Sequence, residues 1–130
     1  MKPLTKDASE GISLKSYVTN IRSCAERILF IKNKFKDNAI VEEYIDGHEI
    51  YTGIMNSSRL EIHYPIELVF NQYPSDRPKI ATYSTKWNKI YRKKWGISAR
   101  KFRSHNPEKI EQLRTFCTNV YKGLDLNGYV

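Results

Sequence analysis

From Leu14 onward the apolar residues fall at Tyr17, Val18, Ile21, Cys24, Ala25, Ile28, Leu29 and Phe35, the three-four spacing of one helix face, with Ser13 as N-cap. The spacing predicts a first helix of about 20 residues, its last turn carrying Lys32, Lys34 and Lys36 and its end set by Asp37-Asn38. Asp46-Gly47, between Val41–Ile45 and His48–Thr52, predicts a β-hairpin closed by a type I′ turn. A third strand follows, because Leu60, Ile62, Tyr64, Ile66, Leu68 and Phe70 share one parity while Glu61, His63, Pro65 and Glu67 share the other. Pro65 marks an edge or a bulge in it. Gln72–Pro78 is a proline-bounded turn and Lys79–Tyr83 a short fourth strand. Asn106-Pro107-Glu108 opens a final helix whose buried face is Ile110, Leu113, Phe116, Cys117, Val120, Tyr121 and Leu124, with Gly123 as a stop. The elements add up to an α+β fold: an N-terminal helix, a four-stranded antiparallel meander, and C-terminal helices packed on one face of the sheet.

Composition sets the scale of that fold. A chain of 130 residues with 40% hydrophobic content is expected to close one core and form a single domain, 1–130. Residues 1–10 and 125–130 read as flexible ends, and 86–105 as a basic aromatic segment. No run approaches the roughly 18 apolar residues of a membrane span, and the start is too polar for a signal peptide. Cys24 and Cys117 lie in apolar helical patterns without metal-ligand spacing, as reduced thiols do. The expected setting is intracellular, cytoplasmic or nuclear, with no membrane partner.

Charge changes the picture more than composition does. Between Arg77 and Pro107 stand ten Lys and Arg residues and no Asp or Glu, so the formal +8 of the chain resides in that stretch. A solubilising surface mixes signs, whereas unrelieved repulsion of this kind favours an anionic partner. The cations singled out are Lys86, Lys89, Arg92, Lys93, Lys94, Arg100, Lys101 and Arg103, with Trp87, Tyr91 and Trp95 as candidates for stacking on unpaired bases. Asn88–Trp95, Gly96-Ile97-Ser98 and Ala99–Arg103 also have the layout of a helix-turn-helix, although Tyr91 is large for the place it would take. Engaging about five phosphates would give a log-log salt slope near −4.5. The expected partners are DNA or RNA, or an acidic protein surface, and the sequence leaves self-association open.

One segment carries a family resemblance. Ile66-Glu67-Leu68-Val69-Phe70-Asn71-Gln72-Tyr73-Pro74-Ser75-Asp76-Arg77-Pro78-Lys79-Ile80 resembles the strand, Tyr-Pro turn and following strand of the ubiquitin-conjugating-enzyme fold and its RWD relatives. The resemblance spans roughly residues 13–84 and gives Tyr73, Pro74 and Pro78 the place of a partner-binding turn. Thr82–His105 has neither the nucleophilic cysteine nor the His-Pro-Asn flap of the conjugating enzymes, so what it implies is a protein-interaction adaptor without thioester chemistry.

Catalytic patterns are otherwise thin. His48, His63 and His105 are scattered, and His63 beside Glu61 is better explained as a surface ion pair than as a general base. No phosphate-binding glycine loop, nucleophile elbow or metal spacing occurs. The sequence therefore predicts a small non-catalytic protein without metal or cofactor, whose basic aromatic segment contacts nucleic acid, the adaptor being the alternative.

Overall fold

The computed structural model describes residues 1–104 and 106–130, so His105 lies outside the described residues. The fold is α+β, with antiparallel strands and four α-helices. The chain divides into two compact units, Met1–Gly47 with Phe70–Ser98, and His48–Val69 with Ala99–Val130.

In the first unit, Lys2–Pro3 (β1) pairs antiparallel with Ala39–Ile40 (β2), and Ile21–Phe35 (α1) lies against both. Strand β1 thus falls within the ten residues expected to form a flexible end. Helix α1 is shorter than its periodicity predicts, because two caps compete within eight residues. Ser13 caps only a single 3-10 turn, Leu14–Ser16, after which Tyr17 turns extended. Asn20 then caps α1, its side chain accepting the Ser23 N–H at 2.9 Å. Lys36 ends the helix in the left-handed conformation at φ 54°. Two short helices follow, Tyr83–Trp87 (α2), capped by Thr82, and Lys89–Lys94 (α3), capped by Asn88. The buried set of this unit includes Pro3, Ile31 and Ile97, together with the polar Ser9, Ser16, Arg27, Thr82 and Thr85.

In the second unit, Ile54–Asn56 (β4) is the middle of a small sheet, between Leu60–Ile62 (β5) and Gly128–Tyr129 (β8). Pro107–Gly123 (α4) lies against β5, begun by Asn106 and Pro107 as the sequence predicts. Its apolar face is less covered than its spacing implies: Tyr121 is buried, but Phe116 and Leu124 are exposed. Glu49–Tyr51 (β3) pairs with Ile66–Phe70 (β6), and Ile97–Lys101 (β7), which belongs to this unit from Ala99 onward, takes the other side of β6.

Antiparallel pairing is thus spread over three small sheets instead of one meander. The Asp46-Gly47 hairpin does not form: β3 has given up Val41–Ile45 for Ile66–Leu68, since a lone two-stranded ribbon is marginal in water. The long third strand breaks at Tyr64-Pro65, where Pro65 donates no ladder hydrogen bond. Beyond the break the parity inverts, so that Glu67 and Val69 are buried while Ile66 is exposed. Residues 79–82 are not a strand, and Tyr83 opens a helix. The second half of the helix-turn-helix layout is strand β7, so no recognition helix exists to enter a groove.

Candidate active site

Helix α1 buries an arginine beside Ile31. Arg27 sits three residues after Cys24 and four before Ile31, which points it inward, and it is only 6% exposed. Its Nη2 donates to the Gly11 carbonyl at 2.6 Å and to Ser16 Oγ at 3.0 Å. The guanidinium carbon lies 4.5 Å from the Phe30 ring centroid. Nε is sealed from solvent with no acceptor, and Arg27 forms no ion pair with any described residue. Burial, by stripping water from the charged form, pushes its pKa below the ordinary arginine value. A buried cation with no counter-ion is unfavourable by itself, and an incoming anion relieves it.

Arg27 lines a cleft of about 720 Å³, formed wholly within the first unit. Its walls are the loop Asp7–Ser13, the inner side of α1 with Phe30, Lys34 and Phe35, and α2 with Tyr83, Ser84 and Trp87. The loop holds a demanding conformation, with Ala8 at φ 48°, Ser9 at 64° and Gly11 at 74°. Non-glycine residues in that region cost roughly 1–3 kcal/mol each and persist where the surroundings hold them. Here Ser9 Oγ donates to the Ala81 carbonyl at 2.6 Å, and Trp87 Nε1 donates to the Ala8 carbonyl at 3.0 Å. Gly11 has no room for a side chain, because a Cβ there would stand 2.5 Å from Pro3 Cγ.

The second unit contains the opposite arrangement. Glu67 is 4% exposed, and its carboxylate accepts from Arg100 Nε at 3.0 Å on Oε2 and is bonded to His48 Nδ1 on Oε1. Burial alone would raise its pKa, but the His48 and Arg100 hydrogen bonds and charges outweigh it and hold the carboxyl below the ordinary value. This charge is closed off by its partners.

The eight cations singled out from sequence are all exposed. Lys86 stands on α2, while Lys89, Arg92, Lys93 and Lys94 share α3; Arg100 and Lys101 are on β7 and Arg103 just beyond it. They are divided between the two units. Three already have intramolecular company, since Arg100 is paired with Glu67, Lys101 lies 4.1 Å from the Tyr64 ring and Lys94 4.9 Å from the Trp95 ring. Of the aromatics, Trp87 is at the cleft, whereas Tyr91 and Trp95 pack with Tyr73. The Tyr73 and Trp95 centroids are 5.6 Å apart, and the Tyr73 and Tyr91 hydroxyls are bonded at 3.2 Å. Burial first, then the Tyr91 bond, raises the Tyr73 pKa. Pro74 and Pro78 are half-buried beside this cluster in sequence. Glu61 bonds Arg59 at 3.0 Å and not His63. Among the described residues no three His, Cys, Asp or Glu side chains gather in a way that could hold a metal.

A family model described as D-ala D-ala ligase C-terminus matches residues 1–130. The chain belongs to that family. No curated protein and no solved structure matches it. Membership in a ligase family overturns the ubiquitin-conjugating or RWD resemblance, along with the nucleic-acid-binding and adaptor functions built on the basic segment, and the expectation of a non-enzyme. The structure supplies physical reasons for these corrections. The Tyr73–Pro78 turn leads to helix α2 and not to another strand, and Tyr73 is spent on an internal aromatic cluster. Arg27, Gly11 and Ser16 had no signal in the sequence: Arg27 lies off the apolar face read there, whose Ile21, Ile28 and Leu29 are exposed, while the helix buries Arg27 and Ile31.

Proposed function

We propose that the chain serves a ligase that joins the carboxyl group of one amino acid to the amine of another, as the name of its D-alanine–D-alanine ligase family implies. In this proposal the first unit's cleft holds an amino-acid carboxylate against Arg27. The observation that carries it is the buried guanidinium without a counter-ion on the cleft wall. Asp7 and Glu10 on the same cleft supply the complement for an ammonium group, so the site carries both signs that a zwitterion requires.

Amide formation in water runs uphill, and ligases of this kind draw on a nucleoside triphosphate with a divalent cation. Among the described residues no three His, Cys, Asp or Glu side chains gather into a metal cage, which a magnesium nucleotide does not need. The cleft's two carboxylates, Asp7 and Glu10, are the side chains there that would hold a divalent cation together with the phosphates, and Arg27 and Lys34 the cations that would face them. What the chain's own residues do is bind and orient the amino acid. Arg27 fixes the carboxylate against the cleft wall. Two free cysteines and the family together favour a cytoplasmic setting, and among the described residues no helix is long and apolar enough to cross a membrane.

The test is equilibrium binding of D-alanine and D-alanyl-D-alanine by calorimetry, followed by mass-spectrometric detection of dipeptide when ATP and magnesium are supplied. Saturable binding that Arg27→Met removes is expected. A folded protein that binds neither compound and forms no dipeptide overturns the proposal.

A further inference from the structure

Three of the largest exposed aromatic side chains in the first unit converge on the Arg27 cleft. Phe30 is 40%, Tyr83 54% and Trp87 60% exposed. Tyr83 and Trp87 are neighbours at i and i+4 on α2, their centroids 6.4 Å apart. Trp87 has its single polar atom committed to the Ala8 carbonyl, so what it offers a ligand is apolar surface. Exposed aromatic side chains lining one cleft offer a ligand apolar surface.

The size of the cleft bears on its occupant. At about 720 Å³ it falls within the 300–1,000 Å³ typical of sites for drug-sized ligands. An alanine methyl group would touch little of that wall and leave the rest to water. The charges limit the occupant further. One cation, Arg27, is buried and unpaired, while Lys34 stands farther out, its Nζ 5.5 Å from the Phe30 centroid and 5.7 Å from that of Phe35. Asp7 and Glu10 oppose them. Among the described residues the one buried cation without a counter-ion is Arg27, and a single carboxylate matches it.

We infer that the cleft takes a carboxylate carrying an aromatic body, such as an aromatic amino acid or an acyl derivative of one, with the carboxylate on Arg27 and the ring against Phe30, Tyr83 and Trp87. The inference deepens the ligase proposal by naming the substrate class and rests on it for the carboxylate's role. The loop conformation supports it, since Ala8, Ser9 and Gly11 hold the wall in place before any ligand arrives, which lowers the ordering cost of binding.

The experiment is isothermal titration of the full chain with four probes: propionate, 3-phenylpropionate, phenethylamine and D-alanine. The expected result is 3-phenylpropionate bound roughly tenfold or more tightly than propionate, from burial of the ring, with phenethylamine weaker than 3-phenylpropionate. Trp87→Ala, with its fold checked by circular dichroism because Trp87 also bonds the Ala8 carbonyl, should remove most of the ring's advantage, and Tyr83→Ala, which leaves that bond in place, should remove part of it. Arg27→Met should weaken both carboxylates. Equal affinity for propionate and 3-phenylpropionate overturns the aromatic class, and if D-alanine still binds through Arg27 the ligase proposal survives that result. Phenethylamine binding as well as 3-phenylpropionate overturns the carboxylate anchor. No binding of 3-phenylpropionate by the folded chain overturns the inference outright, and D-alanine binding then reports separately on the ligase proposal.

Discussion

Among the described residues each unit of this protein buries one charged side chain, and the two are treated differently. Glu67 in the second unit has a hydrogen-bonded partner on each carboxylate oxygen, and both partners, His48 and Arg100, keep most of their surface in water. Arg27 in the first has two neutral acceptors, a sealed Nε and an open cleft beside it. A buried charge that is fully partnered organises its surroundings. One left unpartnered next to a cavity lowers stability until a ligand arrives, and such groups concentrate at functional sites. The difference fits a structural role for Glu67 and supports the binding role proposed for Arg27.

The largest expected effect tests whether the Arg27 side is prebuilt. Gly11→Ala adds a Cβ against Pro3 at a positive φ, and the combined strain and overpacking should cost about 2–5 kcal/mol, read as a fall in the urea midpoint. If stability is unchanged, the loop is adaptable and the cleft is not fixed in advance. Next, Glu67→Gln removes the charge that His48 and Arg100 satisfy and should cost about 1–3 kcal/mol, with no loss of carboxylate binding. A loss of binding in that variant would erase the division of roles. Third, Arg27→Met trades two hydrogen bonds for relief of an unpaired buried cation. Its stability should therefore stay within about 1 kcal/mol of the parent, while carboxylate affinity falls at least tenfold in calorimetry.

The pH dependence sharpens the same contrast. The Glu67 pKa is lower in the folded chain than its ordinary 4.5, so its contribution is complete above that pH and is lost on acidification through the folded-state value. Denaturant midpoints measured across that acid range should fall in the parent and fall less in Glu67→Gln. The smallest effect is a control: Arg22→Ala breaks the exposed pair with Glu26 on α1 and should change stability by about 0.3–0.5 kcal/mol at most.

Legibility in the sequence followed the range of the interactions. The start of α4 was readable because Asn106 and Pro107 act on the residues next to them, and the α+β class followed from local periods of two and three-four. The pairing was not readable. The Asp46-Gly47 turn is a strong local signal, but β3 finds its partner about 17 residues away, and the Pro65 break inverts the parity of everything after it. The site divided in the same way. The basic stretch is conspicuous in sequence because like charges are contiguous there, yet its side chains are exposed and split between the two units. Arg27 is one charge off the apolar face read from the spacing. Its meaning depends on Gly11 and Ser16, which only tertiary packing brings to it.

The most direct test of the central claim is an NMR titration that follows the Arg27 guanidinium resonances, with the Arg100 guanidinium as internal reference, as a carboxylate ligand is added. A saturable shift at Arg27 with Arg100 unmoved is the result predicted by an unpaired cation on an open cleft and a paired one in a closed cluster. Saturable binding that moves neither Arg27 nor Trp87, or that moves Arg100 in place of Arg27, would contradict it.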